Sequence, residues 1–199
     1  MKSRIGDKLR RKSFLGKMAI AFNAAIIVFE LIGLRISALD RKWMILVYYT
    51  QLSNIITLFT SCVFVVTGSN AVTITLRYVS TCMLTMTLLV SLFVLVPMGA
   101  GFKNMMLSGN GLYHHTICPI LSFTSYYLWE EHSHLWILPV ILTFVYGVVM
   151  LILNGTGKYD GPYPFFRIHK QSKAATVMWI IILIAIIAGI SILISSTAI

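Results

Sequence analysis

Charged residues are scarce in this chain. They make up 11% of its 199 residues, against roughly 25% in a soluble domain, while 58% of the chain is hydrophobic. One water-surrounded core cannot hide that much apolar surface, which excludes an ordinary soluble fold. Cysteine is scarce as well. Cys62, Cys82 and Cys118 all fall inside apolar runs, too few and wrongly placed for a disulfide framework or a metal site, and read as small buried hydrophobes. No HExxH or comparable ligand spacing occurs, and neither metal nor cofactor is expected. Internal repeats and low-complexity tracts are also missing, which argues against repeat architectures.

What the chain does have is long apolar runs. A bilayer span takes ~20 mostly apolar residues in a helix, and six segments qualify: 17–37, 44–67, 72–98, 111–129, 135–154 and 174–195. The expected fold is all-α, a polytopic membrane protein with a bundle of six transmembrane helices over 17–199, after a basic tail over 1–16. The net charge of +10 raises the question of nucleic acid. Its placement answers it, because Lys2, Arg4, Lys8, Arg10, Arg11, Lys12 and Lys17 directly precede the first run. That is a juxtamembrane basic tail held at anionic head groups, so membrane lipids are the expected partners and nucleic acid is not. The first run lacks a small-residue cleavage site and contains Glu30, so it reads as an uncleaved helix rather than a signal peptide. Trp43, Tyr48, Tyr49, Tyr126, Tyr127, Trp129, Trp136 and Trp179 fall near run ends, as interfacial aromatics do. The tail places the N-terminus in the cytoplasm of a multi-pass protein of a bacterial-type plasma membrane. Lys158, Arg167, Lys170 and Lys173 then fall on the opposite side.

Polar residues interrupt the runs in two places, Tyr48-Tyr49-Thr50-Gln51-Leu52-Ser53-Asn54 and Tyr113-His114-His115-Thr116. In a six-span chain the end of span one, the start of two, the end of three and the start of four share one side. Glu30, Thr50, Asn54, His114, His115 and the loop 160–165 therefore meet at one membrane face. Thr50, Asn54, Thr57 and Ser61 share a helical face, as do His114, Cys118, Ser122 and Ser125, and as do Asn23 and Glu30. Span three adds Ser80, Thr81, Thr85, Thr87 and Ser91, more scattered. Such stripes should face inward, away from lipid. Ser and Thr in membrane helices commonly bond their own i−4 carbonyl or join helices, the reading preferred for Thr57, Ser61, Thr81, Thr85, Ser122 and Ser125. A carboxylate within a span is usually paired or functional, so Glu30 either pairs with Arg35 or a histidine or takes part at a substrate or oxyanion site. Glu130, Glu131, His132 and His134 read as solvated residues of the opposite face, and His169 likewise.

A threonine hydroxyl is a weak nucleophile until a base takes its proton, and histidine titrates close to neutral pH. Thr50 and a span-four histidine lie at similar depth, so a Thr–His dyad for acyl transfer from a lipid ester is sterically open. Asn54 can donate to a developing oxyanion or merely bridge helices. Glu30 or Asp160 can orient the histidine. Tyr163 either lines a substrate entrance or, preferably, anchors at the interface between the stiffening residues Pro162 and Pro164.

Three regions carry a family resemblance: Tyr48-Tyr49-Thr50 with the span after it, Asn110-Gly111-Leu112-Tyr113-His114-His115-Thr116-Ile117-Cys118-Pro119, and Gly161-Pro162-Tyr163-Pro164-Phe165-Phe166. In their order and spacing the chain resembles the androgen-induced-gene family of six-helix membrane proteins and its bacterial relatives. The resemblance implies an intramembrane threonine hydrolase of esters between fatty acids and hydroxy fatty acids, with Thr50 as nucleophile. The animal form of the motif points to His114 as base, slightly ahead of His115, which the bacterial form favours. The family's additional upstream histidine is replaced by Gly111. Two other functions remain open at this stage, a small proton or solute transporter and a lipid-binding protein without catalysis.

Overall fold

The computed structural model describes residues 2–157, 159 and 161–196, with side chains from Ser13 onward except at 41 and 43. Expectations placed on Asp160 and Lys158, and on the side chains of Trp43 and of the basic residues up to Lys12, lie outside the described residues.

All elements among the described residues are helical. α1 runs Lys2–Arg41, α2 Tyr49–Thr67, α3 Ala71–Val90, α4 Phe102–Met106, α5 Gly109–Gly111, α6 Cys118–Trp129, α7 Ile137–Gly155 and α8 Lys173–Ser196. π-wound segments follow α3 at Ser91–Ala100 and join α5 to α6 at Leu112–Ile117. Among the described residues, five helices are long and apolar enough to cross a membrane: Ser13–Asp40, Tyr49–Thr67, Ala71–Ala100, Ile137–Gly155 and Lys173–Ser196. The expected fourth run, 111–129, is helical throughout but changes its winding, so no single α-helix of spanning length forms there. The expected start of the second run at 44 also shifts. Lys42–Val47 is a 3-10 turn, entered at Lys42 with φ 51, and α2 begins at Tyr49.

Both π segments have a local cause. Proline has no N–H to give the carbonyl four residues back. Pro97 lies inside the first segment and Pro119 just past the second. Gly111 is required by close approach, because a Cβ there would collide with the Met105 carbonyl oxygen of α4. The histidine that the resemblance leads one to look for at 111 has no room beside that backbone.

The turn between α2 and α3 sets their register. Gly68, with φ 70, closes α2 through its N–H to Phe64 O at 2.8 Å. Asn70 then caps α3: its Oδ1 accepts from Val72 N at 3.0 Å and Thr73 N at 3.1 Å, while Thr73 Oγ1 accepts from Asn70 N at 2.9 Å. This reciprocal capping satisfies orphan amides at the helix start. The antiparallel seam that follows is held by Thr60 Oγ1 donating to Ser80 Oγ at 2.9 Å and by Ser53 Oγ with Thr87 Oγ1 at 2.9 Å.

α3 lies at the centre, touching α2, α6, α7 and α8. Its two sides differ. Toward α1, α2 and α6 the buried groups are polar: Asn23, Glu30, Asn54, Thr57, Ser61, Arg77, Ser80, Thr81, His114 and Ser122 are all fully buried. Toward α7 and α8 they are apolar, with Cys82, Met86 and Val90 packed with Leu183, Ile187, Phe165 and Phe166. The outer surface carries Val28, Leu31, Phe59, Val66, Ile152, Ile181 and Leu193, all exposed. Polar inside and apolar outside is the arrangement of a bundle solvated by lipid, where hydrogen bonds and close packing join helices.

Candidate functional site

The site begins at the N-terminus of α2, where the first amides have no partner within the helix. Tyr48 at the N-cap position makes no side-chain capping hydrogen bond to these amides. Two tyrosine hydroxyls from elsewhere take its place. Tyr49 N–H donates to Tyr146 Oη of α7 at 3.0 Å, and Thr50 N–H donates to Tyr163 Oη at 3.2 Å. Tyr163 Oη also lies 3.1 Å from Thr50 Oγ1. Tyr163 is buried here and stacks on Phe165, so it is not the interfacial anchor preferred from the sequence. It is the direct hydrogen-bond partner of Thr50.

Thr50 and Tyr163 open onto a cavity of ≈ 290 Å³ between α2, α3, α7, α8 and the loop 161–166. Its walls are otherwise chiefly apolar, including Met86, Val90, Leu95, Leu151, Phe165 and Leu183. Thr87 and Ser91 are the hydroxyl residues on the α3 side. A shaped apolar pocket with a few convergent polar groups is the usual form of a small-molecule site.

The π segment turns the consecutive residues His114 and His115 both inward, buried in different company. His114 Nδ1 lies 3.1 Å from Gln51 Nε2, and its Nε2 lies 3.5 Å from Glu30 Oε2. Gly33 of α1 packs so closely on this ring that a Cβ would collide with Nε2. Glu30 therefore meets a histidine rather than Arg35, and Cys118 neighbours the same carboxylate. His115 goes elsewhere: its Nδ1 is hydrogen-bonded to Ser91 Oγ.

Asn54 bridges helices. Its Nδ2 donates to Thr50 O at 2.6 Å and His114 O at 3.3 Å. Both bonds hold the α2–α6 junction and leave this amide nitrogen unavailable to an oxyanion, which corrects the oxyanion role. Glu30, Thr50, Asn54, His114 and Tyr163 do gather at one end of the bundle through these contacts, with His115 beside them on the next residue.

The sequence reading overlooked several residues. Gln51 and Ser91 touch the two histidines, but an isolated Gln or Ser gives no pattern signal. Arg77 did give one, a charge within an apolar run. It is fully buried and forked onto Glu130, with Nε–Oε2 at 3.0 Å and Nη2–Oε1 at 3.2 Å. Ser61 and Ser122 accept from it, while Asn23 and Ser125 donate to Glu130. Glu130 is thus not a solvated loop residue, because a buried guanidinium draws it in. Next to it in the loop, partial burial lowers the His132 pKa below the usual histidine value; the nearby Glu130 raises it and His134 lowers it further.

Chemically, the cavity lining offers the hydroxyl residues Thr50, Thr87, Ser91 and Thr143, the phenols Tyr49, Tyr146 and Tyr163, and a histidine bonded to Ser91. Such a set can move a proton and form an acyl bond. Among the described residues no group of three His, Cys, Asp or Glu is placed to hold a metal ion. No family model, no curated protein and no solved structure matches this chain.

Proposed function

We propose that this protein is an intramembrane hydrolase of lipid acyl esters, with Thr50 as nucleophile and the ≈ 290 Å³ cavity as the acyl-chain site. The observation that carries this reading is the common cavity wall of Thr50 and Ser91, the latter bonded to His115, in an otherwise apolar chamber. The resemblance to the androgen-induced-gene family supports the same chemistry and fatty acid esters of hydroxy fatty acids as the substrate class. In this reading the run 111–129 completes a six-span, multi-pass bundle of the plasma membrane with a cytoplasmic N-terminus, and substrate arrives from the membrane lipid.

Thr50 Oγ attacks the ester carbonyl carbon, its proton passes to histidine, and the C–O bond to the leaving alcohol breaks as that proton returns to the alkoxide. Water then cleaves the acyl-threonine by the same route. Thr50 sits at the positive end of α2, which favours negative charge on its oxygen. Tyr163 holds the hydroxyl. The base is His115, because His114 is engaged by Gln51 and Glu30. Glu30 and His114 anchor α1 to the site.

The test is labelling by a long-chain alkyl fluorophosphonate in native membranes. Thr50→Ala should abolish the adduct while the helical melt is retained. Undiminished labelling of Thr50→Ala, or none of the wild type, refutes the reading.

One observation favours a transporter as second reading. Ionisable groups now occupy both ends of the polar half, Glu30–His114 and Arg77–Glu130. The Arg77 donors are taken by Ser61, Ser80, Ser122 and Glu130, which makes that end a closed seam rather than a path. Proton flux in proteoliposomes that Glu30→Gln abolishes would restore the transporter reading.

A further inference from the structure

Ser91 lines the cavity and is hydrogen-bonded to His115, which does not line it. We propose that Ser91 is a proton relay, passing the proton of the nucleophile to His115. The inference rests on the hydrolase reading above.

Three observations place Ser91 in this role. The first is the order of the groups. Ser91 lines the cavity, whereas His115 lies behind it with Nδ1 on the serine oxygen. A residue that only oriented the imidazole would stand on the far side of the ring from the reacting groups. Here the hydroxyl is on the near side, so a proton leaving the cavity for His115 meets Ser91 first. The second is register. Thr60 with Ser80, then Ser53 with Thr87, mark equal steps along α2 and α3. The same step continued brings the start of α2, Thr50, across from Val90 and Ser91. The two residues line one cavity from adjoining helices. The third is winding. Ser91 begins one π segment and His115 lies in the other, and π insertions occur frequently at functional sites. A helical serine commonly bonds the carbonyl one turn back; Ser91 is bonded to a side chain of another helix instead.

Thr50, not Ser91, is the better nucleophile of the two. An alkoxide at Thr50 is favoured by the positive end of the α2 dipole. Ser91 lies within a continuous helical run, away from any helix start. As Thr50 Oγ bonds to the carbonyl carbon, its proton moves to Ser91 Oγ and the Ser91 proton moves to His115 Nδ1. In the reverse direction the imidazolium returns a proton through Ser91 to the leaving alkoxide, and no other reactant is needed.

The experiment uses the full chain in native membranes, with a long-chain alkyl fluorophosphonate and a p-nitrophenyl fatty acyl ester. Adducts are located by peptide mass spectrometry. In Ser91→Ala the adduct should stay on Thr50 while labelling and turnover fall about a hundredfold, the range lost with a general base. Ser91→Thr, which restores a hydroxyl, should recover most of the rate, and the base limb of the pH profile should flatten only in Ser91→Ala. An adduct on Ser91 overturns the relay and makes Ser91 the nucleophile. A Thr50 adduct formed at the wild-type rate in Ser91→Ala overturns it too, while leaving the hydrolase reading intact. Wild-type protein inert to both probes removes the hydrolase reading, and the relay with it.

Discussion

Removing one partner of the Arg77–Glu130 pair should be among the most damaging single changes in the bundle. Both side chains are sequestered, at 0% and 1% exposure, with Nε–Oε2 at 3.0 Å. At that distance and an effective dielectric of about 20, the attraction is about 5 kcal/mol. Arg77→Met deletes that attraction and leaves a carboxylate facing Asn23 and Ser125 without its cation. Stranding one member of a buried pair costs about 3–5 kcal/mol, which for a chain of this size corresponds to a fall in Tm of about 10 °C. Glu130→Gln should cost a comparable amount by stranding the guanidinium. The double variant Arg77→Met/Glu130→Gln carries no charge there and keeps an acceptor for Asn23 and Ser125, so it should be more stable than either single. Thermal unfolding of the four proteins in mild detergent closes the cycle. Additive losses, or single losses below about 1 kcal/mol, would refute the reasoning, because the site would then be solvated as a surface pair is.

Gly33→Ala places a methyl on His114 Nε2, so the variant should lose about 1–3 kcal/mol by overpacking, read as a lowered Tm, whereas Gly189→Ala, with open space around its Cβ, should not. Gly147 lines the cavity and a Cβ there meets nothing within 4 Å; Gly147→Phe should therefore fold and lose long-chain ester turnover preferentially over short-chain turnover, measured as a ratio of kcat/KM values. Burial lowers the His132 pKa. The unfolded chain then protonates first, so this contribution to stability is complete above the unfolded pKa of about 6.5 and is lost as pH falls below it. His132→Gln should flatten that acid limb, and an NMR titration placing His132 above the usual histidine value would contradict it.

The inward stripes were legible because helical spacing needs no tertiary information. Thr50, Asn54, Thr57 and Ser61 are buried, as are His114, Cys118, Ser122 and Ser125. Connectivity alone placed Glu30 and His114 toward one membrane face, but their contact is a tertiary result. Arg77 was legible as an anomaly, and its partner was not, since Glu130 sits 53 residues away in a loop that polarity alone assigns to solvent.

The sequence by itself determined that this chain is helical, that its runs suit lipid, and which faces are polar, because hydropathy and a 3.6-residue period are local properties. Only the tertiary structure decided which hydroxyl meets which ring. The Gly68–Asn70 turn sets how α2 slides along α3. The π winding near Pro119 turns both histidines inward to different partners, and close approach at Gly33 and Gly111 sets how near the backbones come. Each is a matter of a few ångströms between segments far apart in the chain, and a residue pattern carries no such distances. Thr50 consequently bonds Tyr163, His114 faces Glu30, and His115 bonds Ser91.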